Sequence, residues 1–368
     1  MQNETIPLVD LPGERLRNQH LIGTPLETAT DVVRWMGAVQ AQDYAGATWA
    51  LALRASGADR ATIDALFAAG AILRTHVMRP TWHFVMPEDI RWMLALTGAR
   101  VSAQNASYDR KLELGGAVYA RSNALLAAAL EGGRHRTRTE LAAVLEAAGI
   151  AARGQRLAHL MMRAELDAVV CSGPLRGKQF TYALLDERVP PARPREREEA
   201  VAELAGRYFA SHGPATVHDF AWWSGLTMAD AKAGLDYVRH QLEQVTVDGR
   251  AYWRAAQTLP PPQEPTVLLL PNYDEHIVAY RDHGPSLDPG APRVLDGWGS
   301  GLTSHLVVRN GVVVGGWRRT LERERLVVRL SMHVRLSASE QSDLARAAEG
   351  YGRFVGLPVT LAERDPTP

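Results

Sequence analysis

The fold is indicated most clearly by residues 216–235, TVHDFAWWSGLTMADAKAGL. Residues 216–224 have the pattern of a short helix, Gly225 stands in the turn that follows, and Thr227 is a good N-cap for a second helix. Two helices joined in this way form a helix-turn-helix. The run VTVDGRAYW at 245–253 has Asp-Gly between two strand-like halves, which predicts a β-hairpin after the second helix.

The same order of elements is predicted three times along the chain. Helical segments followed by two strand-like runs occur within residues 1–115, 116–190 and 191–262. Three helices followed by a two-stranded hairpin are the winged-helix plan, so we expect an α+β protein with three tandem winged-helix modules. Repeated winged helices bind nucleic acid more often than anything else, although this argument comes from the fold alone.

Residues 263–368 are predicted to form a fourth unit rich in β-structure. Strand-like runs are TVLLL, HIVAY, SHLVVRNGVVVGGW, ERLVVRL and LPVTLAE. Asn310-Gly311 between alternating apolar residues is the strongest hairpin signal of the sequence. One amphipathic helix is predicted over 337–356. Together these elements predict a small, β-barrel-like C-terminal domain.

The charge of the chain argues against a protein that coats nucleic acid by bulk attraction. The 368 residues carry a formal net charge of +0, which still leaves room for a local basic face. Of the 41 basic residues, 38 are Arg, a side chain suited to bidentate contacts with phosphates and guanine edges. Coding bias explains this excess equally well.

Several chemistries are disfavoured by missing motifs. The single cysteine, Cys171, excludes an intrachain disulfide and a Cys-based zinc site. The sequence has no HExxH, CxxC or dinucleotide-binding glycine motif, so we expect no metal and no cofactor. It also has no apolar run of about 18 residues and no signal-peptide pattern. We therefore expect no membrane partner and a cytoplasmic location, at the nucleoid when the protein acts on DNA.

The candidate site is the polar stretch QAQDY at 40–44, which follows the first strong helical pattern. Residues two apart share a face on an extended segment but not on a helix. If the helix ends near Val39, Gln40 and Gln42 can therefore point at one ligand. The alternative is a polar helix terminus that faces water.

The run GAVQAQDY resembles the paired-glutamine motif of the AlkZ/YcaQ-type bacterial DNA glycosylases. Further resemblances follow in the same order and cover nearly the whole chain: RTHVMRPTWHFV, SGPLRGKQFTYALLDERVP, LLLPNYDEHIVAYRD and NGVVVGGWRR. One branch of this family carries Gln-x-Gln and another Gln-x-Asp, so this chain resembles the AlkZ-like branch, whose known members unhook or excise bulky alkyl adducts. The resemblance implies tandem winged helices around a concave DNA-binding surface, with a C-terminal β-barrel.

The resemblance also implies a reaction. A monofunctional glycosylase would hydrolyse the N-glycosidic bond of N7-alkylated purines. The alkylated purines would be bulky adducts, interstrand crosslinks or both. Such an enzyme could give its host self-resistance to a DNA-alkylating natural product. An N7-alkylated base is already cationic and leaves neutral, so no general acid is needed. Gln40 and Gln42 are assigned as the catalytic residues that hold the attacking water. Asp43 is the rival because a carboxylate could deprotonate that water, and Asp274 is a further candidate for catalytic support.

Candidate DNA contacts complete the site. They are Arg79, Trp82, His83, Tyr280, Arg281, Arg318 and Arg319. Core packing is the alternative for Trp82, a structural role for His83, and a role in holding the C-terminal domain for Tyr280, Arg281 and Asp274. Exposed arginine pairs such as Arg318 and Arg319 usually have no special role.

The expected partner is double-stranded DNA with alkylated guanine or adenine, bound by a monomer. Two other interpretations stay open. One is a winged-helix transcriptional regulator without catalysis, although the predicted recognition helix offers few side chains for reading sequence. The other is a resistance protein that sequesters the free alkylating compound.

Overall fold

The computed structural model describes residues 4–5, 10–256, 266–288 and 304–363. Helices and short sheets alternate along the chain, so the protein is of mixed α+β class. The first elements are strand β1 (Glu4–Thr5) and helix α1 (Asp10–Asn18).

The first repeat carries the paired glutamines. It consists of α2 (Ala29–Met36), β2 (Val39–Gln40), α3 (Tyr44–Ala52), α4 (Arg60–Ala69), β3 (Leu73–Val77) and β4 (Arg79–Val85). A capping box starts α2: the hydroxyl of Thr28 accepts from the backbone N–H of Asp31, whose carboxylate accepts from the N–H of Thr28. The strands form one sheet in the order β2-β4-β3.

The second repeat follows the long helix α5 (Pro87–Lys111). It consists of α6 (Gly116–Leu130), β5 (Arg136–Thr137), α7 (Arg138–Ala147), α8 (Gly154–Leu166), β6 (Val170–Ser172), β7 (Thr181–Leu184) and the one-turn helix α9 (Leu185–Arg188). Its sheet has the order β5-β7-β6. Cys171 on β6 is buried, and this burial raises the pKa of its thiol to about 12, as befits a packing residue.

The third repeat contains the stretch that indicated the fold. Its elements are α10 (Arg197–His212), α11 (Val217–Ser224), α12 (Met228–Val238), β8 (Leu242–Val247) and β9 (Arg250–Ala255). The predicted helix-turn-helix is confirmed: Gly225 has a φ of +69°, and the hydroxyl of Thr227 accepts from the backbone N–H of Asp230. Here β1 joins the sheet, parallel to β8, in the order β1-β8-β9.

The C-terminal part is a sheet with one long helix. Its elements are β10 (Val267–Leu270), α13 (Glu275–Val278), β11 (Leu306–Arg309), β12 (Val312–Glu322), β13 (Arg325–Met332), α14 (Ala338–Val355) and β14 (Val359–Glu363). The Asn-Gly hairpin is confirmed, because Asn310 and Gly311 have φ values of +51° and +82° between β11 and β12.

Two expectations for this part differ from the structure. In the described residues the strands form an open five-stranded sheet, β10-β11-β12-β13-β14, and not a closed barrel. The strand predicted at HIVAY is wrong, because Asp274 caps a helical turn there: its side chain accepts from the backbone N–H of His276. The strand was predicted from the β-branched pair Ile277-Val278 in a short apolar run, and this pattern does not show that the preceding side chain caps a helix.

Two hydrophobic cores join the repeats. One packs β3 and α5 against α10, α11 and α12, with Leu73, Trp223 and Tyr280 among its members. The other packs α2 and α3 against the C-terminal sheet and α14, with Trp49 and Trp317 among its members. The first repeat therefore lies between the third repeat and the C-terminal sheet, and the boundaries at 115, 190 and 262 stay a prediction.

Candidate active site

The segment that carries Gln40 and Gln42 leaves the helix before the first glutamine, is a strand at Val39–Gln40, and bends at Gln42 and Asp43. α2 ends at Met36, and Gly37 has a φ of +79°, in the left-handed region that a glycine enters readily, so the chain turns out of the helix. β2 then begins at Val39. The condition set by the sequence, a helix that ends before the first glutamine, is met.

Backbone hydrogen bonds from β4 hold this segment. Gln40 lies opposite His83 in the antiparallel pair of β2 and β4. The backbone N–H of Ala41 then donates to the carbonyl oxygen of Trp82 over 2.7 Å. Residues directly opposite in a pair share one face of the sheet, so the side chains of Gln40 and His83 are neighbours.

The two glutamine side chains lie in different environments. Gln40 is 7% exposed, and its Oε1 atom has no hydrogen-bond partner in the described part of the chain. Gln42 is exposed, and its Oε1 lies 3.5 Å from the backbone nitrogen of Trp82. The amide oxygens of Asn123 and Asn272 are also buried without a protein partner in the described residues, and water commonly serves such groups.

The carboxylate of Glu275 reaches the motif from α13. Its Oε1 accepts from the backbone N–H of Gln40 over 2.7 Å, and its Oε2 accepts from Nε1 of Trp223 over 3.0 Å. Nε2 of His212 lies 3.6 Å from Oε2. Burial alone would raise the pKa of Glu275, but the interactions with His212 and Arg79 outweigh it and lower the pKa. The carboxylate is therefore ionised at neutral pH.

The guanidinium of Arg74 binds the two backbone carbonyl groups that follow Gln40. Its Nε donates to the carbonyl oxygen of Ala41 over 2.9 Å and its Nη2 to that of Gln42 over 3.4 Å. Arg74 also lies over the rings of Trp82 and Phe180, with its Cζ 4.4 Å and 4.6 Å from their centroids. Desolvation lowers the pKa of Arg74, but a guanidinium remains protonated in proteins.

A cavity of about 260 Å³ opens beside Gln42, between β4 and α8. Trp82 forms one wall and Tyr182 and Met162 line other parts of it. The ring of Trp82 lies 4.3 Å from that of His76, centroid to centroid. This mixture of flat, apolar and polar lining suits a heterocyclic ligand.

His83 lies beneath the motif as a neutral residue. Its Nδ1 is 3.0 Å from the carbonyl oxygen of Thr81, so Nδ1–H is the donor and Nε2 is left as an acceptor. Burial, and next the charge of Arg79, lowers the pKa of His83 to about 3. Nε2 has no partner among the described residues. Two neighbouring side chains, Gln40 and His83, thus each present a buried, unpartnered acceptor.

The two candidate supporting carboxylates have structural contacts. Asp43 caps α3, because its Oδ1 accepts from the backbone N–H of Ala45 over 3.0 Å. Asp274 is buried, and its two oxygens accept from Nη1 and Nη2 of Arg54 over 2.9 Å and 2.8 Å. Both side chains are therefore engaged, and neither has a hydrogen bond to the two glutamines.

Two of the predicted DNA contacts lie inside the protein. His83 is 0% exposed and Tyr280 is 1% exposed, so neither is on a surface that DNA can reach. The hydroxyl of Tyr280 donates to the carbonyl oxygen of His212 over 2.7 Å, and Arg15 covers its ring. Sequence alone could not separate these residues from exposed neighbours in the same runs.

The other predicted contacts are at least partly accessible. Trp82 and Arg79 are half-buried, but the Nε and Nη2 donors of Arg79 are buried, and its Cζ lies 5.8 Å from the centroid of the exposed Trp222 ring. Arg281 and Arg318 are exposed. Arg319 is half-buried and packs over the ring of Tyr351 at 5.6 Å.

The described part of the chain contains no group of three or more His, Cys, Asp or Glu side chains arranged to hold a metal ion. Its helices are also too short or too polar to cross a membrane.

Comparison with known proteins identifies the family of this chain. The sequence model of the DNA glycosylase AlkZ-like family matches residues 33–354, which include the whole site. The chain belongs to the AlkZ-like DNA glycosylase family. Its reaction is therefore hydrolysis of the N-glycosyl bond that joins a base to DNA.

Two comparisons with individual proteins extend along nearly the whole chain. An interstrand DNA cross-link repair glycosylase of Streptomyces sahachiroi is 25% identical, over 94% of this chain and 97% of that protein. The structure of the Streptomyces sahachiroi DNA glycosylase AlkZ superimposes with a TM-score of 0.79 at 23% identity, over 97% of this chain and 100% of the other. The second comparison shows that the glycosylase described here shares the AlkZ fold.

Sequence reasoning missed three residues of this glycosylase site. Glu275 lies beside the chosen Asp274, Arg74 lies two strand positions before His76, and His212 ends α10. Their contacts with the motif or with each other span 32 to 235 residues of chain. Only the presence of Glu275 and Arg74 inside two of the family-like runs could have drawn attention to them.

Proposed function

We propose that this glycosylase removes N7-alkylated purines from double-stranded DNA, with bulky adducts and interstrand crosslinks as its substrates. The related Streptomyces protein is named for crosslink repair, and this chain carries the Gln-x-Gln form of the motif. The protein acts as a monomer, and its three repeats are winged-helix modules that hold the duplex.

The chemistry follows from the charge of the lesion. N7-alkylation makes the purine cationic, so the base leaves neutral and needs no general acid. The enzyme must then only place water at the anomeric carbon and stabilise an oxocarbenium-like sugar. Gln40 and Gln42 provide amide oxygens for these tasks without adding a titratable group.

The observation that carries this proposal is the buried, unpartnered Oε1 atom of Gln40. An amide oxygen in this position accepts one hydrogen of a water molecule and so aims its lone pair. The neighbouring acceptor, Nε2 of His83, can take the other hydrogen. Gln42 faces the cavity lined by Trp82, where the alkylated base or its substituent is held.

The reaction is monofunctional in this proposal. A glycosylase that also cleaves the strand forms a Schiff base with an amine of the enzyme. The chain has three lysines, Lys111, Lys178 and Lys232, and none of them lines the cavity beside Gln42. In this proposal water is the nucleophile: its oxygen bonds to the anomeric carbon as the bond to the base breaks, its proton passes to solvent, and the product is an abasic site.

Base release tests the proposal. Duplexes carrying N7-methylguanine, a bulky N7-adduct or an N7-crosslink are incubated with wild type, with Gln40→Ala and Gln42→Ala singly and together, and with Asp43→Asn. We expect wild type to release free alkylpurine and leave an alkali-labile site. The double variant should lose at least about 100-fold in rate, and Asp43→Asn should keep most activity. Gln341→Ala, at an exposed position in the first turn of α14, is the matched control for loss of an amide.

Other outcomes identify other functions. No release from any of the three duplexes, with binding intact, indicates the regulator. Binding of the free alkylating compound without binding of DNA indicates sequestration. Full activity of the double variant, or its loss in Asp43→Asn, would transfer the catalytic role from the glutamines to the carboxylate.

A further inference from the structure

We propose that Glu275 is a positioning residue for this reaction, which fixes Gln40 through its backbone N–H; the inference rests on the function proposed above. In the described residues, the Oε1 atom of Gln40 has no hydrogen bond to Glu275 or to any other group. Glu275 binds the peptide group from which the Gln40 side chain projects, over 2.7 Å. A fixed peptide fixes the Cα–Cβ direction, and with it the place where the amide oxygen can meet water.

Glu275 and its partners come from three parts of the fold. Gln40 belongs to β2 of the first repeat, whereas Trp223 on α11 and His212 on α10 belong to the third. Glu275 itself starts α13, beside the C-terminal sheet. One carboxylate thus ties the catalytic segment to the helices that surround it. A shift of any of these bodies would be transmitted to Gln40.

Glu275 is one of three carboxylates in the described residues that are buried without a guanidinium as ion-pair partner; the others are Glu165 and Asp219. Asp274 is paired with Arg54, and Asp89 with Arg207. Nε2 of His212 lies 3.6 Å from Oε2 of Glu275, and burial lowers the pKa of His212, so this ring is neutral at pH 7. The charge of Arg79 and the N–H donors of Gln40 and Trp223 offset the desolvation of the Glu275 carboxylate, so its hydrogen bond to the motif is charge-assisted and strong.

The two oxygens of Glu275 serve two N–H donors at once. A glutamine at this position offers one acceptor oxygen and turns its NH₂ toward the other donor, so it cannot serve both. An aspartate keeps the charge but withdraws it by one methylene, about 1.5 Å, from Gln40. Both substitutions therefore loosen the same peptide group while leaving Gln40 and Gln42 in the sequence.

Single-turnover base release by the full-length protein, with Kd for the lesion duplex measured separately, tests the inference. Glu275→Gln and Glu275→Asp should each lower the rate constant by about 30- to 100-fold with less than about a threefold change in Kd. The matched control is Asp89→Asn, a buried carboxylate that also accepts from an indole N–H, of Trp92, but does not contact the motif. It should lower the melting temperature and keep the rate constant of the folded fraction.

Each other result has a defined meaning. Rate constants within about threefold of wild type in a folded Glu275 variant, or a loss equal to that of Asp89→Asn, would overturn the inference while the glycosylase assignment stands. If Glu275→Gln does not fold, Glu275→Asp decides by the same criterion. Absence of base release by wild type would remove the proposed function, and the inference with it.

Discussion

Arg54 and Asp274 form a bidentate ion pair inside the protein, with side-chain exposures of 2% and 0%. Arg54 follows α3 of the first repeat, and Asp274 begins α13, so the pair joins two units 220 residues apart. Arg54 also donates to Oε1 of Gln19 over 3.0 Å. The pair therefore holds α13 in place, and α13 places Glu275 under Gln40.

Loss of one partner should destabilise the fold strongly. In Asp274→Ala the guanidinium of Arg54 stays buried without its counterion, which costs about 3–5 kcal/mol of unfolding free energy. Urea denaturation at pH 7.5 measures this loss. Glu146→Gln removes the charge that pairs with Arg153, a side chain that is 86% exposed, and should leave the urea midpoint close to that of wild type because water screens this pair. Equal losses in the two variants would contradict the structural importance given to the buried pair.

Gly225 provides a second test of the packing between repeats. Its φ is +69°, and a Cβ at this position would overlap the carbonyl oxygen of Met78 in the turn between β3 and β4. Gly225→Ala combines left-handed strain with a backbone clash and should cost about 2–5 kcal/mol.

Gly149 is the matched control for this substitution. Its φ is +80°, but no atom lies within 4 Å of the position of its Cβ. Gly149→Ala should therefore cost only the strain, about 1–2 kcal/mol. Chemical denaturation of both variants measures the difference, and a Gly225 variant no less stable than the Gly149 variant would disprove the close approach of the two turns.

Much of the fold was readable from local signals. Caps and turns use fixed residue types, so Thr28, Gly225, Thr227 and Asn310 each marked a helix or hairpin end that the structure contains. The strand predicted at HIVAY failed because one side chain, Asp274, caps a helix there. Closure of the C-terminal sheet could not be predicted, since it depends on contacts between strands far apart in sequence.

The site was predictable only in part for the same reason. The motif at Gln40 and Gln42 is contiguous, so its resemblance to a family could be recognised from residues that are adjacent in the sequence. Glu275 contacts Gln40 from 235 residues away, through a backbone N–H that has no signature in sequence. Burial was also invisible: Tyr280 and Arg281 are neighbours in one run, yet one is buried and the other exposed.

The buried histidines predict loss of stability in mild acid. Burial lowers the pKa of His276 from 6.5 to about 4, and that of His305 from 6.5 to about 4. The unfolded chain therefore takes up these protons at a higher pH than the folded one. The stabilisation is complete above pH 6.5 and is lost as the pH falls toward 4.

His276→Gln separates one contribution. Nε2 of His276 is 2.8 Å from the carbonyl oxygen of Gly311, and a glutamine N–H can replace this donor without titrating. The drop in unfolding free energy between pH 7.5 and 5.0 should be smaller in the variant by about 2 kcal/mol. Urea denaturation at the two pH values measures it. Parallel profiles for wild type and variant would show that His276 is not neutral in the folded protein.

The adjacent residues Arg318 and Arg319 on β12 differ in their surroundings. Arg318 is exposed, whereas Arg319 packs over Tyr351. If Arg318 meets a DNA phosphate, Arg318→Ala weakens binding to damaged and undamaged duplexes alike and reduces the slope of log K against log salt by about 1. Arg319→Ala should instead lower the melting temperature and keep that slope. Binding isotherms at several salt concentrations decide: an unchanged slope in Arg318→Ala removes this face of the sheet from the DNA-binding surface.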